Sequence, residues 1–597
     1  MNSKIRKWLA LIILSFFLSG VSSLYAQDST LENKIIISKP SGASELYDQD
    51  ATDEDASSGK GYNEVGDKIK IMIEELQNLQ QKVSDLKKYE KKQLKKLSKR
   101  IAKTELHTFT DKISFGIEFE SNVESIHYND IYALSNNVYG YFMTTPKTLN
   151  GYLSSNFDNV FKIPFNKISS ASNNTIFTEK LRLNIKSKFN DKLDFTGRLA
   201  AYKVWGDSSG VKFNNGSLGD VYLDGTTASI PSGDNIHLER AYFNYKFNLG
   251  KTVPGSISVG RRPSTGGSPL EFREYSLEGG SALATAINWQ FDGISLNFDL
   301  EEFFNIPGHV LKLCYGLAFE SGWGNSYSLM NQPDVDDVNV LGLIDVIYDD
   351  GVTDLTALYA HGAGLTDGFT GLTLMPMTVN KNPMTEEYEF AQNSNGWISR
   401  VEPQTNIGDY DVFSLLLKTN FKYFFETKND IDFFTGVSWS HTTPTNISKI
   451  PFYEMLGMGL LNSGVYDKSK LEDRDGYSVY IGTRIPMPYN GKLGLEYNWG
   501  SKYWLSMTNA EDSLVASKLA TRGHAYELYY IQPIFNQNFF AKFGLIYYDY
   551  EYTGSGSPLG APVRISEMTP LDKFYSTGFA PVIDNALNLY FSVTFRF

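Results

Sequence analysis

The sequence predicts an all-β protein: a transmembrane antiparallel β-barrel of sixteen or eighteen strands, preceded by a signal peptide, a flexible linker and an α-helical coiled coil. Three observations carry this expectation. Segments along most of the chain alternate apolar and polar residues with a period of two, which puts one set on each face of a strand. Tight links containing Asp-Gly or Asn-Gly alternate with long connections. The chain ends on an alternating aromatic segment whose last residue is Phe597.

Composition sets the outer bounds. The chain has 597 residues, 39 Phe, 37 Tyr, 8 Trp, 50 Gly and a net charge of −13. A mean hydropathy of −0.28 is too polar for a bundle of membrane helices. After the first 26 residues, no segment reaches the roughly 18 apolar residues that a spanning helix needs. A single cysteine, Cys314, excludes an internal disulfide, a multi-cysteine zinc site, an iron–sulfur cluster and a C-x-x-C-H haem site. The acidic balance argues against nucleic acid as a partner.

Residues 1–26 read as a signal peptide. Lys4, Arg6 and Lys7 precede an apolar stretch from Trp8 to Phe17, and Leu24-Tyr25-Ala26-Gln27 offers cleavage after Ala26. An uncleaved anchor would need a longer apolar run. Residues 27–61 are rich in Ser, Asp, Glu and Gly and read as a flexible linker. Residues 62–107 carry heptads. Ile69, Leu76 and Val83 fall at one position, and Met72, Leu79 and Leu86 at the other. Leu94, Leu97 and Ile101 continue the stripe after a stutter near Tyr89. Its outer face is basic, with Lys87, Lys88, Lys91, Lys92, Lys95, Lys96, Lys99, Arg100 and Lys103 against Glu90. Two readings follow: a solvated periplasmic stalk, or an oligomerisation stalk whose basic face meets cell wall or lipid head groups.

Residues 108–597 read as the barrel. Ile113, Phe115, Ile117 and Phe119 alternate with Ser114, Gly116, Glu118 and Glu120. Leu181, Leu183 and Ile185 alternate with Lys180, Arg182, Asn184 and Lys186, and the pattern recurs along the chain. A soluble sandwich also alternates. Spread of charge over the whole polar face favours a barrel in lipid, apolar outside and hydrated inside. Closure is required there, because a sheet edge in hydrocarbon leaves backbone groups unpaired. Seventeen strand candidates can be counted. Single-chain bacterial barrels have even numbers, so at least one candidate is not a strand. Strand direction is ambiguous between Ser281 and Phe319.

Short links at Asn190-Asp191, Asp349-Asp350-Gly351, Lys428-Asn429-Asp430 and Tyr489-Asn490-Gly491 suit tight hairpins. Long connections near 206–235, 362–409, 442–475 and 554–584 complete the asymmetry of such barrels. Tyr202, Trp205, Trp499, Tyr503, Trp504, Tyr547, Tyr548 and Tyr550 fall near strand ends and suit interfacial girdles or loop anchors. In the last strand Leu587, Leu589, Phe591, Val593, Phe595 and Phe597 alternate with Asn588, Tyr590, Ser592, Thr594 and Arg596. This resembles the C-terminal assembly signal of bacterial outer-membrane proteins. The resemblance implies delivery by the barrel assembly machinery to the outer membrane of a Gram-negative cell.

A barrel of this size encloses an aqueous lumen, so inward charges are candidate pore-lining residues. Alternation nominates Arg182, Arg198, Arg240, Lys246, Arg262, Lys418, Arg484 and Glu496. The Pro- and Gly-shaped loop from Arg261 to Glu274 adds Glu271, Arg273 and Glu274, either folded into the lumen as a constriction or held at the rim. Removing the 18 basic and 15 acidic residues of 1–107 leaves 37 and 53, a barrel charge of −16. The inward strand charges are nevertheless mostly Lys and Arg, which points to a mixed-charge pore with at most weak anion preference.

Glu239-Arg240-Ala241-Tyr242, Gly260-Arg261-Arg262-Pro263-Ser264-Thr265-Gly266-Gly267 and Arg522-Gly523-His524-Ala525-Tyr526-Glu527 resemble an uncharacterised family of bacterial porin-like outer-membrane β-barrel proteins with an N-terminal coiled coil. That resemblance implies an outer-membrane barrel and, by analogy with other porins, a homotrimer. The heptads themselves, with β-branched Ile69 and Val83 against Leu79 and Leu86, lean towards a dimer. It brings no substrate and no catalytic residues.

Enzyme readings find little support. Gly206-Asp207-Ser208-Ser209-Gly210 matches G-x-S-x-G, but a nucleophile elbow needs a strand before it and a helix after it, and this one lies in a loop. The seven histidines show no metal-ligand spacing, and Asp334-x-Asp336-Asp337 lacks that of an EF-hand. No enzyme activity, cofactor or metal is expected. Three function classes remain: a channel for passive diffusion of small hydrophilic solutes or ions, a structural tether of the envelope, and a barrel that sheathes a partner.

Overall fold

In a computed structural model the chain divides into two units, residues 1–97 and 98–597. The structure describes residues 113–597 apart from stretches at 135–146, 149–164, 207–235, 251–252, 264–284, 288–289, 322–334, 369–370, 375–376, 393–397, 402, 425–429, 464–469, 509–513 and 569–581. The expected signal peptide, linker and coiled coil, with seam residues Ile69, Met72, Leu76, Leu79, Val83 and Leu86, lie outside the described residues. So do Glu271, Arg273 and Glu274.

The strands are β1 (Ile113–Leu134), β2 (Phe165–Lys188), β3 (Leu193–Val204), β4 (Ile236–Leu249), β5 (Val253–Pro263), β6 (Gln290–Asp299), β7 (Val310–Phe319) and β8 (Val338–Asp349). They continue with β9 (Asp354–Thr366), β10 (Asn406–Asn420), β11 (Asp432–Pro444), β12 (Arg474–Pro486), β13 (Lys492–Gly500), β14 (Gly523–Asn536), β15 (Phe539–Tyr550) and β16 (Val582–Arg596). Each pairs with its neighbour in sequence, and β16 returns to β1, closing a sixteen-stranded antiparallel barrel. The lower of the two expected strand numbers is the observed one. The ambiguous stretch from Ser281 contains the antiparallel pair β6–β7.

Closure is made by the β1–β16 ladder, from Glu118 opposite Arg596 to Tyr132 opposite Val582, and the C-terminal residue extends it. Phe597 N–H donates to the Ile117 carbonyl at 2.8 Å, and Ile117 N–H donates back to the Phe597 carbonyl at 2.9 Å. Gly116 stands beside this contact, where a Cβ would lie 3.1 Å from the Phe597 carbonyl oxygen. Short links gather at this end. In the β2–β3 link the Asn190 side-chain oxygen accepts from the N–H groups of Lys192 and Leu193 at 2.8 and 2.9 Å. The β12–β13 link places positive φ at Tyr489 (58°) and Asn490 (61°), one residue earlier than its Asn-Gly pair suggests. Long connections occupy the other end. One of them, between β9 and β10, carries the small strands Met377–Lys381 and Tyr388–Gln392, and the latter pairs with Lys147–Thr148 of the β1–β2 connection.

The outer surface is apolar. Phe115, Ile117, Phe119, Leu181, Phe243, Ile294, Leu313, Phe413, Phe543, Leu589, Phe591 and Phe595 are all exposed. Their inward neighbours are polar or buried, so the strand alternation is that of a barrel facing lipid. Some outer-face aromatics carry polar handles. Trp439 Nε1 donates to Asp475 at 2.9 Å and Tyr359 Oη donates to Asp411 at 2.5 Å. Trp205 is exposed and stacks on Phe177 at 5.1 Å, as a girdle residue should. Trp504, Tyr202 and Tyr548 do not belong to a girdle: all three are buried within the barrel, at 0%, 3% and 0% exposure. A strand end marks depth but not which side of the sheet a ring takes, and Trp504 lies beyond its strand altogether.

Candidate functional site in the barrel lumen

The inner surface has two sectors. The first is a charged wall on β16 and β1–β4. Alternation turns Glu118, Lys180, Arg182 and Arg198 inward. On β4 the register shifts opposite Arg198 and Leu199, so that Glu239 is an extra residue between the paired Leu238 and Arg240. This bulge lets consecutive Glu239 and Arg240 share the lumen side. Arg182 donates to Glu118 at 3.1 Å, to Glu239 at 3.2 Å and to Tyr202 Oη at 2.8 Å. Arg596 donates to the other Glu118 oxygen at 3.0 Å. Arg198 donates to Asn184 at 2.6 Å and lies 3.8 Å from Glu239. Lys180 pairs with Glu120 at 3.6 Å. Shared carboxylates hold several guanidinium groups in fixed positions on a largely shielded wall, whose ion-paired side chains are 4–20% exposed.

The second sector is apolar and covered by connections from the long-loop end. Its inward residues include Ile344, Leu358, Tyr410, Val412, Leu416, Phe434 and Tyr480. Trp504, Leu505 and Leu519, from the Ser501–Arg522 connection between β13 and β14, pack onto them with Ile287, Leu460 and Leu559 from three further connections. Trp504 Nε1 donates to the Leu519 carbonyl at 2.8 Å, and Tyr410 Oη donates to the Leu505 carbonyl at 2.7 Å. This connection therefore folds into the barrel.

A buried latch holds it there. Lys518 Nζ hydrogen-bonds both Glu496 on β13 and Glu527 on β14, and all three side chains are nearly inaccessible. Tyr480 and Tyr529 donate to Glu496 at 2.5 and 3.0 Å, and Tyr590 donates to Glu527 at 2.6 Å. Arg522, fully buried at the end of the connection, donates to the carbonyls of Trp504, Thr553, Gly554 and Ser557. It pins the β13–β14 connection to the β15–β16 connection. A third anchor is Asp367, just beyond β9, which accepts from Gln404 N–H, Thr405 N–H and Ser448 Oγ at 2.8, 3.2 and 2.6 Å. Burial nevertheless pushes its carboxyl above the ordinary range, outweighing these hydrogen bonds.

The sequence-nominated residues fall into several places. Arg182, Arg198 and Arg240 come together on the charged wall. Lys246 pairs with Asp194 at 3.4 Å and Arg484 with Asp432 at 2.8 Å, both towards the short-turn end. Lys418 stands on the inner register of β10, opposite Asp354 of β9. Arg262 is buried, donating to Ser295 Oγ at 2.7 Å and facing Cys314 Sγ at 3.9 Å. Arg261 takes the opposite face and pairs with Asp292 at 2.7 Å. Glu496 does not face open water, because Lys518 covers it. Glu118, Glu239, Glu527, Lys312 and Lys518 are absent from the sequence-based set. Glu239 and Glu527 lie inside two of the family-like motifs, which was a usable signal. Lys518 sits in a connection without periodicity, which left none.

Fold and lumen together define a closed sixteen-stranded barrel with a charged inner wall and an infolded connection. The sequence model of the family described as "Protein of unknown function (DUF3373)" matches residues 170–597, and the chain belongs to that family. No curated protein matches the sequence. Among solved structures it is similar to Pseudomonas putida OprB at high pH, with 11% identity, a TM-score of 0.38, and coverage of 83% of this chain and 96% of that one. It is also similar to Salmonella typhi OmpF in complex with daunomycin, at 9% identity and TM-score 0.36, covering 81% and 97%. The outer membrane channel DcaP of Acinetobacter baumannii matches at 10% identity and TM-score 0.35, covering 81% and 97%.

Proposed function

We propose that this protein is a channel of the Gram-negative outer membrane that passes small hydrophilic solutes or ions by diffusion. The observation that carries the reading is the closed sixteen-stranded barrel, apolar outside and charged along one inner wall. Such a wall supports hydrated solutes, while closure and the apolar outer face suit a bilayer. The infolded Ser501–Arg522 connection narrows the lumen from the opposite side, so solute size is set by that connection and solute charge by the wall. The alternating last strand, ending on the paired Phe597, is the assembly signal read by the barrel machinery. The coiled coil at 62–107 is a periplasmic stalk that assembles homotrimers or tethers the envelope, with cell wall as the partner of its basic face.

Purified protein in a planar bilayer tests the channel. Stable open steps in salt are expected. A sealed barrel would remove the channel reading in favour of a tether or a sheath. Crosslinking of protein lacking residues 62–107 tests the stalk: an unchanged oligomer would show that the stalk does not assemble it.

A further inference from the structure

Glu496 on β13 and Glu527 on β14 stand directly opposite each other in the strand register. Two like charges in that position repel, so their placement calls for a cation between them. The barrel strands themselves hold both carboxylates. Tyr480 of β12 and Tyr529 of β14 donate to the two oxygens of Glu496, and Tyr590 of β16 donates to Oε1 of Glu527. Inward glycines make room for two of these rings. Gly494 pairs with Tyr529 and Gly544 with Tyr590, and a Cβ on either glycine would run into the ring beside it. Each ring therefore leans along the wall towards its carboxylate. The ammonium comes from elsewhere in the chain. Lys518, on the Ser501–Arg522 connection, places Nζ between Oε2 of Glu496 and Oε2 of Glu527, 5.5 Å from the centroid of the Tyr480 ring. Glu496, Glu527 and Lys518 are 5%, 3% and 2% exposed. Two converging carboxylate oxygens and an aromatic face are the chemistry that selects a primary ammonium, whose N–H donors meet the oxygens while its charge meets the ring. Two other cations stand nearby. Arg484, opposite Gly494, pairs with Asp432, and Lys542 lies 5.7 Å from the centroid of the Tyr590 ring.

We propose that the Glu496–Glu527 pair is an ammonium-binding site of the lumen wall, and that Lys518 is its intramolecular occupant. A solute carrying a primary ammonium group takes the same place when Lys518 withdraws. Its role in solute passage rests on the channel reading, whereas the site rests on the geometry of the wall. The wall supplies every group except the cation, so the site keeps its shape whether the occupant belongs to the chain or to a solute. Lysine and solute are then alternatives, and this point of the lumen favours cations although the charged wall displays arginines.

Ethylammonium, the end of a lysine side chain as a free ion, is the probe, and the full chain in detergent is the target. Lys518→Ala empties the position and keeps the tyrosines and carboxylates. Calorimetric titration should show this variant binding ethylammonium about tenfold or more tightly than the wild-type chain, in which Lys518 fills the site. Tetramethylammonium, which carries the charge without an N–H donor, should show no such gain. Adding Glu496→Gln and Glu527→Gln to Lys518→Ala should abolish it. Equal binding by all three chains, or none by Lys518→Ala, overturns the site. If Lys518→Ala folds poorly, its refolded yield becomes the readout: ethylammonium should raise the yield above that in tetramethylammonium, and equal yields overturn the site. Reversal potentials with potassium chloride facing ethylammonium chloride supply a second arm. Lys518→Ala should favour ethylammonium more than the triple variant does, and equal potentials would overturn the role in solute choice. Sealed bilayers with intact binding would sink the channel and leave the site standing.

Discussion

The two halves of the lumen bury polar groups by opposite means. On β16 and β1–β4 the inward side chains are charged, and Glu118 and Glu239 are each shared between two arginines. On β8–β12 the inward residues are largely apolar or small, and chain segments from the loops cover them. The contrast shows that an inward strand position is not by itself a wet one. Where a connection folds in, the strand is buried on both faces and its inner register becomes core. The Lys518 latch marks the border, since it is an ion pair formed by a loop but sealed from water like the core beside it.

The difference can be broken most sharply at that border. Lys518→Met should cost about 3–5 kcal/mol in the stability of the infolded state, because two carboxylates remain buried without a cation. Thermal unfolding in detergent should fall, and single-channel conductance should rise as the connection leaves the lumen. The triple variant Lys518→Met, Glu496→Gln, Glu527→Gln removes the orphaned charge and should recover most of the loss. Trp504→Ala should cost slightly less, about 3–4 kcal/mol, through cavity formation against Leu505 and Leu519, read as faster proteolysis of the 501–522 connection. On the charged wall Glu118→Gln should cost about 2–3 kcal/mol, because it removes the largely shielded carboxylate that Arg182 and Arg596 share, while making the lumen more anion-preferring. Equal losses at Lys518 and Glu118 would erase the distinction between the sectors.

The smallest effect concerns acid. Because burial raises the Asp367 carboxyl above its unfolded value, its contribution to anchoring is fully present below the ordinary carboxylate range and is lost as pH rises through the raised value. Protection of the β9–β10 connection from protease should therefore increase on acidification through that window. Asp367→Asn should flatten the dependence. A wild-type profile without slope would remove this anchor from the account.

Legibility in sequence followed the same border. A closed barrel of sixteen or eighteen strands, the outward faces and the C-terminal strand could be read because alternation is local and repeated, and Phe115 to Phe119 or Leu589 to Phe597 state it within a few residues; that the number is sixteen came from the pairing. Arg182, Arg198 and Arg240 followed from the same period. Glu239 broke it, since a bulge moves one residue out of phase. Glu496 had the correct face but the wrong surroundings, because its partner Lys518 comes from a connection whose path no period encodes. Val412 and Leu416 carried a clue, being apolar on the inner register of a strand whose outer face is apolar too, the mark of a strand buried on both sides.

By itself, then, the chain's alternation determined a barrel, its lipid face and the side from which its cations point, because a strand's two faces are set by neighbouring residues. Which of those cations share a carboxylate, and where the lumen is dry, depended on the tertiary structure. Those outcomes need residues hundreds of positions apart, such as Glu118 and Arg596, to meet across the closure, or a connection such as Ser501–Arg522 to turn inward, and both depend on packing around the whole cylinder.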